Sequence, residues 1–111
     1  TSKLLFDPAS VGKFANDEFA DAFARIECHY FTNKGFFPED NYLLDNAGIL
    51  KKIRTVIIHG RYDVICPVEN AWQLHQALPH SDLHIIADAG HALSEPGITS
   101  KMIEYTDKWS D

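Results

Sequence analysis

The spacing of apolar positions changes character along this chain. Phe19, Phe23, Ile26 and Tyr30 recur at the interval of one helix face. Asn16 is placed to cap that helix, and Asp17 and Glu18 put acids where a helix N-terminus favours them. A helix is therefore expected over 17–31. It is broken by Asn33-Lys34-Gly35 and followed by the apolar loop Phe36-Phe37-Pro38. Residues 1–15, with Asp7-Pro8 and Gly12, read as a helix end or loop. Tyr42, Leu43, Leu44, Ile49 and Leu50 predict a short helical piece over 41–50. The period then shortens. Thr55 to His59 is a β-branched run, apolar on both faces, as in a buried parallel strand. Pro67 opens a helix over 67–78, a favoured position for proline. Leu83 to Ala87 forms a second strand. A last helix runs from Gly97 or Ile98 through Met102, Ile103, Tyr105 and Trp109.

From residue 54 the order is strand, helix, strand, helix. That alternation implies an α/β fold with a parallel sheet and right-handed crossovers. Two strands are too few for a stable sheet, and their open edges would be adhesive. The chain therefore reads as the tail of a larger α/β protein, or as a piece that pairs with another chain, a second copy of itself included. Thr1 in place of a methionine is expected to mark a cut or a processed end.

Composition narrows the function. With 111 residues, 45% of them hydrophobic, the chain has material for about one small globular domain. A net charge of −6 disfavours nucleic acid as a partner. No apolar run approaches the roughly 20 residues that span a bilayer, and no signal-peptide pattern opens the chain. Two cysteines, Cys28 and Cys66, are too few for a disulfide framework, so a reduced cytoplasmic setting is expected. His75, His80 and His84 lack the spacing of a metal site and read as solvated surface histidines.

The chemistry sits where the strands end. Val56-Ile57-Ile58-His59-Gly60 is followed by Arg61-Tyr62-Asp63, and Leu83 to Ala87 by Asp88-Ala89-Gly90-His91. Ligands of open α/β sheets bind outside the carboxyl ends of the strands. Asp63 and His91 both fall there, about one βαβ unit apart. Alone, Asp63 could be a turn residue and His91 a loop histidine. Together they look like the acid and base of a catalytic triad, the carboxylate holding the imidazole in one tautomer. Gly90 would give the backbone the sharp turn that aims His91. Acid then histidine, late in a chain, is the order of the α/β-hydrolases. The serines are Ser2, Ser10, Ser81, Ser94, Ser100 and Ser110, and none stands in Gly-x-Ser-x-Gly, so the nucleophile is expected upstream. Cys66, near Asp63, reads as a packed structural thiol. Glu27 falls on or beside the apolar stripe of the first helix. It is either a carboxylate for a substrate cation or a salt-bridge partner of Arg25, Lys34 or Arg61, and the pattern leaves both open.

These residues resemble a known family. Ala24-Arg25-Ile26-Glu27-Cys28-His29-Tyr30-Phe31, Gly35-Phe36-Phe37, His59-Gly60-Arg61-Tyr62-Asp63-Val64-Ile65-Cys66-Pro67, Ala71-Trp72-Gln73-Leu74-His75 and Ala89-Gly90-His91 are similar to the C-terminal part of the proline iminopeptidases. These are serine peptidases of the α/β-hydrolase fold that remove N-terminal proline from peptides. The resemblance implies a triad acid at Asp63, a triad base at His91, and at Glu27 a cap-domain glutamate that binds the imino group of the substrate. It implies no cofactor and no metal. It makes 1–46 the end of a helical cap and 47–111 the last part of the core. The serine elbow, the oxyanion-hole loop and most of the sheet lie outside this sequence. The family's common Gly-His-Ser is here Gly90-His91-Ala92, which leaves the base intact.

Overall fold

A computed structural model describes residues 17–110. The expected cap at Asn16 and the loop over 1–15 lie outside them. The chain divides into two compact units, with the boundary between Tyr42 and Leu43.

The first unit is built on helix α1 (Asp17–Thr32), one residue longer than its apolar spacing predicts. Phe19 and Phe23 stack at 5.9 Å, as residues four apart on one face should. The last turn satisfies its own carbonyls: Thr32 Oγ1 donates to the Cys28 carbonyl at 2.7 Å and Asn33 Nδ2 to that of His29 at 2.8 Å. The segment expected as a plain loop is instead a 3₁₀ turn, Lys34–Phe36. It has a left-handed Gly35 (φ 64°) between two positive-φ neighbours, Lys34 and Phe36. The turn folds Phe36 back against Tyr30 (5.4 Å) and His29 (5.2 Å), a local aromatic gain that propensity alone does not reveal.

In the second unit, the helical piece expected over 41–50 is two short segments. They are α2 (Tyr42–Asp45), whose first residue belongs to the other unit, and a 3₁₀ turn over Ala47–Leu50. Strand β1 (Val56–Gly60) pairs in parallel with β2 (Asp82–Ile86), in a register running from Val56↔Asp82 to Gly60↔Ile86. Helix α3 (Val68–Ala77) links the strands and packs on both, and α4 (Pro96–Trp109) packs on β1. Each strand is displaced by one residue from its expected span, a shift of the size that end pairing produces.

Leu78 is fully buried at the end of α3, and Ala71, Ala89, Ile98 and Tyr105 join it in the core. Polar ties then lock the layers. Tyr105 OH on α4 lies 2.6 Å from His84 Nε2 and donates to Asp82 Oδ2 at 3.3 Å, both on β2. His75 Nδ1 on α3 meets the buried Ser81 hydroxyl at 2.9 Å. His75 and His84 are thus part-buried and hydrogen-bonded, not the solvated pair expected; His80 is exposed, its Nε2 3.1 Å from the Ile53 carbonyl. No helix among the described residues is long and apolar enough to cross a membrane.

Candidate active site

The parallel pairing carries both loops to the same end of the sheet. β1 stops at Gly60 and β2 at Ile86, opposite one another, and the chain past each stays tied to its neighbour. Arg61 N–H donates to the Ile86 carbonyl at 2.9 Å, and Tyr62 N–H to that of Ala89 at 3.0 Å. The contact is so close that a Cβ on Gly60 would stand 1.9 Å from the Gly90 oxygen and 2.6 Å from that of Ala89. The glycine that makes this junction possible is therefore Gly60. Gly90, expected to let the backbone turn sharply, has no positive φ; among the described glycines only Gly35 does.

This junction brings Asp63 and His91 together. Asp63 Oδ2 lies 2.9 Å from His91 Nδ1, and the carboxylate is only 4% exposed against 39% for the imidazole. Asp63 Oδ1 accepts from Ile65 N–H at 2.9 Å and Cys66 N–H at 2.8 Å. Burial by itself would push the Asp63 carboxyl up. The Cys66 N–H, the His91 ring and the Ile65 N–H outweigh it, and the group lies below its ordinary value of 3.8. An ionised Asp63 can only accept, so Nδ1 of His91 is the donor, which in the neutral ring leaves Nε2 as the lone-pair nitrogen. That tautomer, with Nε2 on the far side of the ring from the carboxylate, is ready to take a proton from an incoming hydroxyl.

Two further residues serve this centre, and the sequence reading missed both. His59, the last side chain of β1, donates Nε2–H to the Cys66 carbonyl at 2.9 Å, with the same nitrogen 3.5 Å from Asp63 Oδ2. It braces the Asp63 turn from below. Glu95, only 4% exposed, accepts from Gly90 N–H at 2.9 Å and Ala92 N–H at 3.3 Å. Its one sequence signal is Glu-Pro at the start of a helix, where a capping Ser, Thr, Asp or Asn is the usual choice. Asp63, Cys66 and His91 also offer one potential metal-ligand atom each, all within 4.8 Å. Both Asp63 oxygens and His91 Nδ1 are committed to hydrogen bonds, so a metal there would have to dismantle the pair.

Glu27 lies in the other unit, exposed on α1. The sequence argument that an acid on this stripe must be paired or face a cavity does not apply, because Phe23, Ile26 and Tyr30 beside it are themselves exposed. Two of its expected partners are engaged elsewhere: Arg25 with Asp21 at 3.6 Å and Lys34 with Asp40 at 3.7 Å. Arg61 lies in the second unit, 5.8 Å over the Tyr62 ring.

The alpha/beta hydrolase fold family matches this chain over residues 5–97. The chain belongs to the α/β-hydrolase fold family. Among α/β-hydrolases with curated names, it is 57% identical over 109 residues to a protein of Leptolyngbya boryana named "Probable proline iminopeptidase", covering 98% of this chain and 34% of that protein. The "Proline iminopeptidase" of Arabidopsis thaliana is 52% identical, over 97% of this chain and 28% of its own length. That of Xylella fastidiosa strain 9a5c is 46% identical, over 98% and 35%. The chain thus spans about a third of the length of these relatives. An α/β-hydrolase places acid and base past the ends of late strands, where Asp63 and His91 stand.

Proposed function

We propose that this chain is the C-terminal part of a prolyl aminopeptidase, a serine hydrolase that releases N-terminal proline from peptides. The observation that carries the reading is the Asp63–His91 pair, 2.9 Å apart beside the carboxyl ends of two parallel strands, in a chain 57% and 52% identical to proteins bearing the iminopeptidase name. Asp63 is the triad acid and His91 the triad base, and the nucleophile comes from the upstream segment. Residues up to about 46 belong to the end of a helical cap, and 47–111 to the last strands and helices of the core.

The reaction is acyl transfer. His91 Nε2 takes the proton of the upstream serine as its oxygen attacks the carbonyl carbon of the N-terminal proline. Asp63 stabilises the imidazolium so formed. His91 then returns the proton to the departing nitrogen, and water repeats the sequence to release proline. Glu27 receives the protonated imino nitrogen of the substrate, so that only a chain terminus fits. Its solvent-facing position on α1 supports a role that needs an available carboxylate. A charge-assisted contact of this type contributes on the order of 1.5–3 kcal/mol. The partners are peptides beginning with proline, together with the upstream segment or, for the isolated piece, another copy of itself along the open sheet edge. Two free thiols, Cys28 and Cys66, support a reducing cytoplasmic setting.

The test is hydrolysis of a prolyl anilide by the full-length protein and by its His91→Ala variant. Release of aniline by the first and its collapse in the second is the expected result. Full activity in the variant would overturn the assignment.

A further inference from the structure

We infer that Glu95 is a positioning residue for His91, holding the backbone on both sides of the base so that its ring points at Asp63. The inference deepens the serine-hydrolase reading proposed above and rests on it.

Glu95 is a carboxylate in an unusual place. It occupies the N-cap position of α4, yet its side chain makes no capping bond to that helix. It turns back instead, and Oε1 accepts from Gly90 N–H and Ala92 N–H, the amides of the residues before and after His91. Glu95 is 4% exposed, and withdrawing a carboxylate from water is costly unless such donors repay it. The backbone reinforces the clamp. Glu95 N–H donates to the Ala92 carbonyl at 3.0 Å, and Thr99 Oγ1 to that of Leu93 at 2.7 Å. The clamp is rooted in α4, itself anchored by buried Ile98 and Tyr105.

The His91 ring needs such a base. It is 39% exposed, and among the described residues it stacks on no aromatic side chain. Its hydrogen bond to Asp63 fixes the aim of the ring only if the Cα–Cβ direction is already set. Two bonds from one buried oxygen help set it: they hold the Ala89–Gly90 and His91–Ala92 peptide groups, one on each side of His91.

The experiment uses the full-length protein with Glu95→Ala and Glu95→Gln. The readouts are kcat and KM on a prolyl anilide, the rate of labelling by a fluorophosphonate, and the downfield Nδ1 proton of His91 by NMR. Glu95→Ala should lower kcat and labelling roughly 10- to 100-fold, the cost of a misplaced catalytic group, with KM within about twofold. The downfield proton should broaden or vanish. Glu95→Gln, which keeps an acceptor oxygen, should recover most of the loss. Should Glu95→Ala not fold, Glu95→Asp, which retracts the acceptor by one methylene, carries the same test. A folded variant with wild-type kcat, labelling and Nδ1 proton overturns the inference, as does a Glu95→Gln protein no better than Glu95→Ala. Fluorophosphonate labelling needs the base but not proline recognition. Wild-type protein that labels normally yet releases no proline would therefore sink the proposed substrate and leave the Glu95 assignment standing.

Discussion

Asp63 divides its two carboxylate oxygens between two tasks: Oδ2 holds His91 Nδ1 at 2.9 Å, while Oδ1 closes its own turn onto Ile65 and Cys66 N–H. Turn residue and triad acid, which look like competing readings, describe the same side chain. The turn fixes the carboxylate, and the fixed carboxylate then orients the imidazole.

Replacing that carboxylate with an amide leaves one acceptor oxygen for the two tasks. In the full-length protein Asp63→Asn is expected to lower kcat by about 10⁴-fold, the loss typical when a triad acid no longer holds the histidine tautomer. Steady-state kinetics on a prolyl anilide reads it. A change of less than tenfold would remove Asp63 from the triad.

The same carboxylate couples folding to acid. Its folded pKa lies below the ordinary 3.8, so the unfolded chain binds the proton more readily. The stability Asp63 adds is present above pH 3.8 and is lost as pH falls from there through the depressed folded value. Acid unfolding followed by circular dichroism should show a steeper loss below pH 4 in wild type than in Asp63→Asn. Parallel curves would show that Asp63 contributes nothing to the acid limb.

Tyr105 sets the opposite limb. Burial, then the nearby Asp82 charge and hydrogen bond, raise the phenol above its ordinary 10.0. Its contribution is intact below pH 10 and lost as pH rises through the raised folded value. Tyr105→Phe should flatten the alkaline decline of the melting temperature. An unchanged decline would assign it to other groups.

Gly60→Ala tests the junction between the two loops. A methyl 1.9 Å from the Gly90 oxygen cannot be accommodated without moving backbone. Overpacking of this sort costs about 1–3 kcal/mol, and here it also pushes His91 from Asp63. Lower melting temperature and lower kcat are expected together. A fully active, fully stable variant would show the contact to be looser than described.

Glu27→Gln separates recognition from chemistry. It should lower kcat/KM on free-amine prolyl substrates roughly 10- to 100-fold, the weight of one charge-assisted contact, and leave simple esters nearly untouched. Equal losses on both would remove the recognition role.

Much of this was legible in the order of residues. Apolar spacing placed α1, β1, α3, β2 and α4 to within a residue or two, because each element repeats its apolar positions at its own regular period. Alternation of strand and helix implied parallel pairing, which sends both strand ends the same way, and so the neighbourhood of Asp63 and His91 followed before any coordinates. Other features depend on contacts that the apolar period does not encode. The 3₁₀ turn at Lys34–Phe36 forms because Phe36 finds Tyr30 and His29. His75 and His84 look like surface residues until Ser81 and Tyr105 meet them. That Gly60 is indispensable shows only in the packed loops, where its Cβ would collide with the Gly90 oxygen. Sequence alone thus determined which elements form and which two groups share a sheet end, because periodicity and chain order are local properties. Tertiary structure alone decided how those groups are held, through His59 below the acid and Glu95 behind the base, because hydrogen-bond partners are chosen by distance in space.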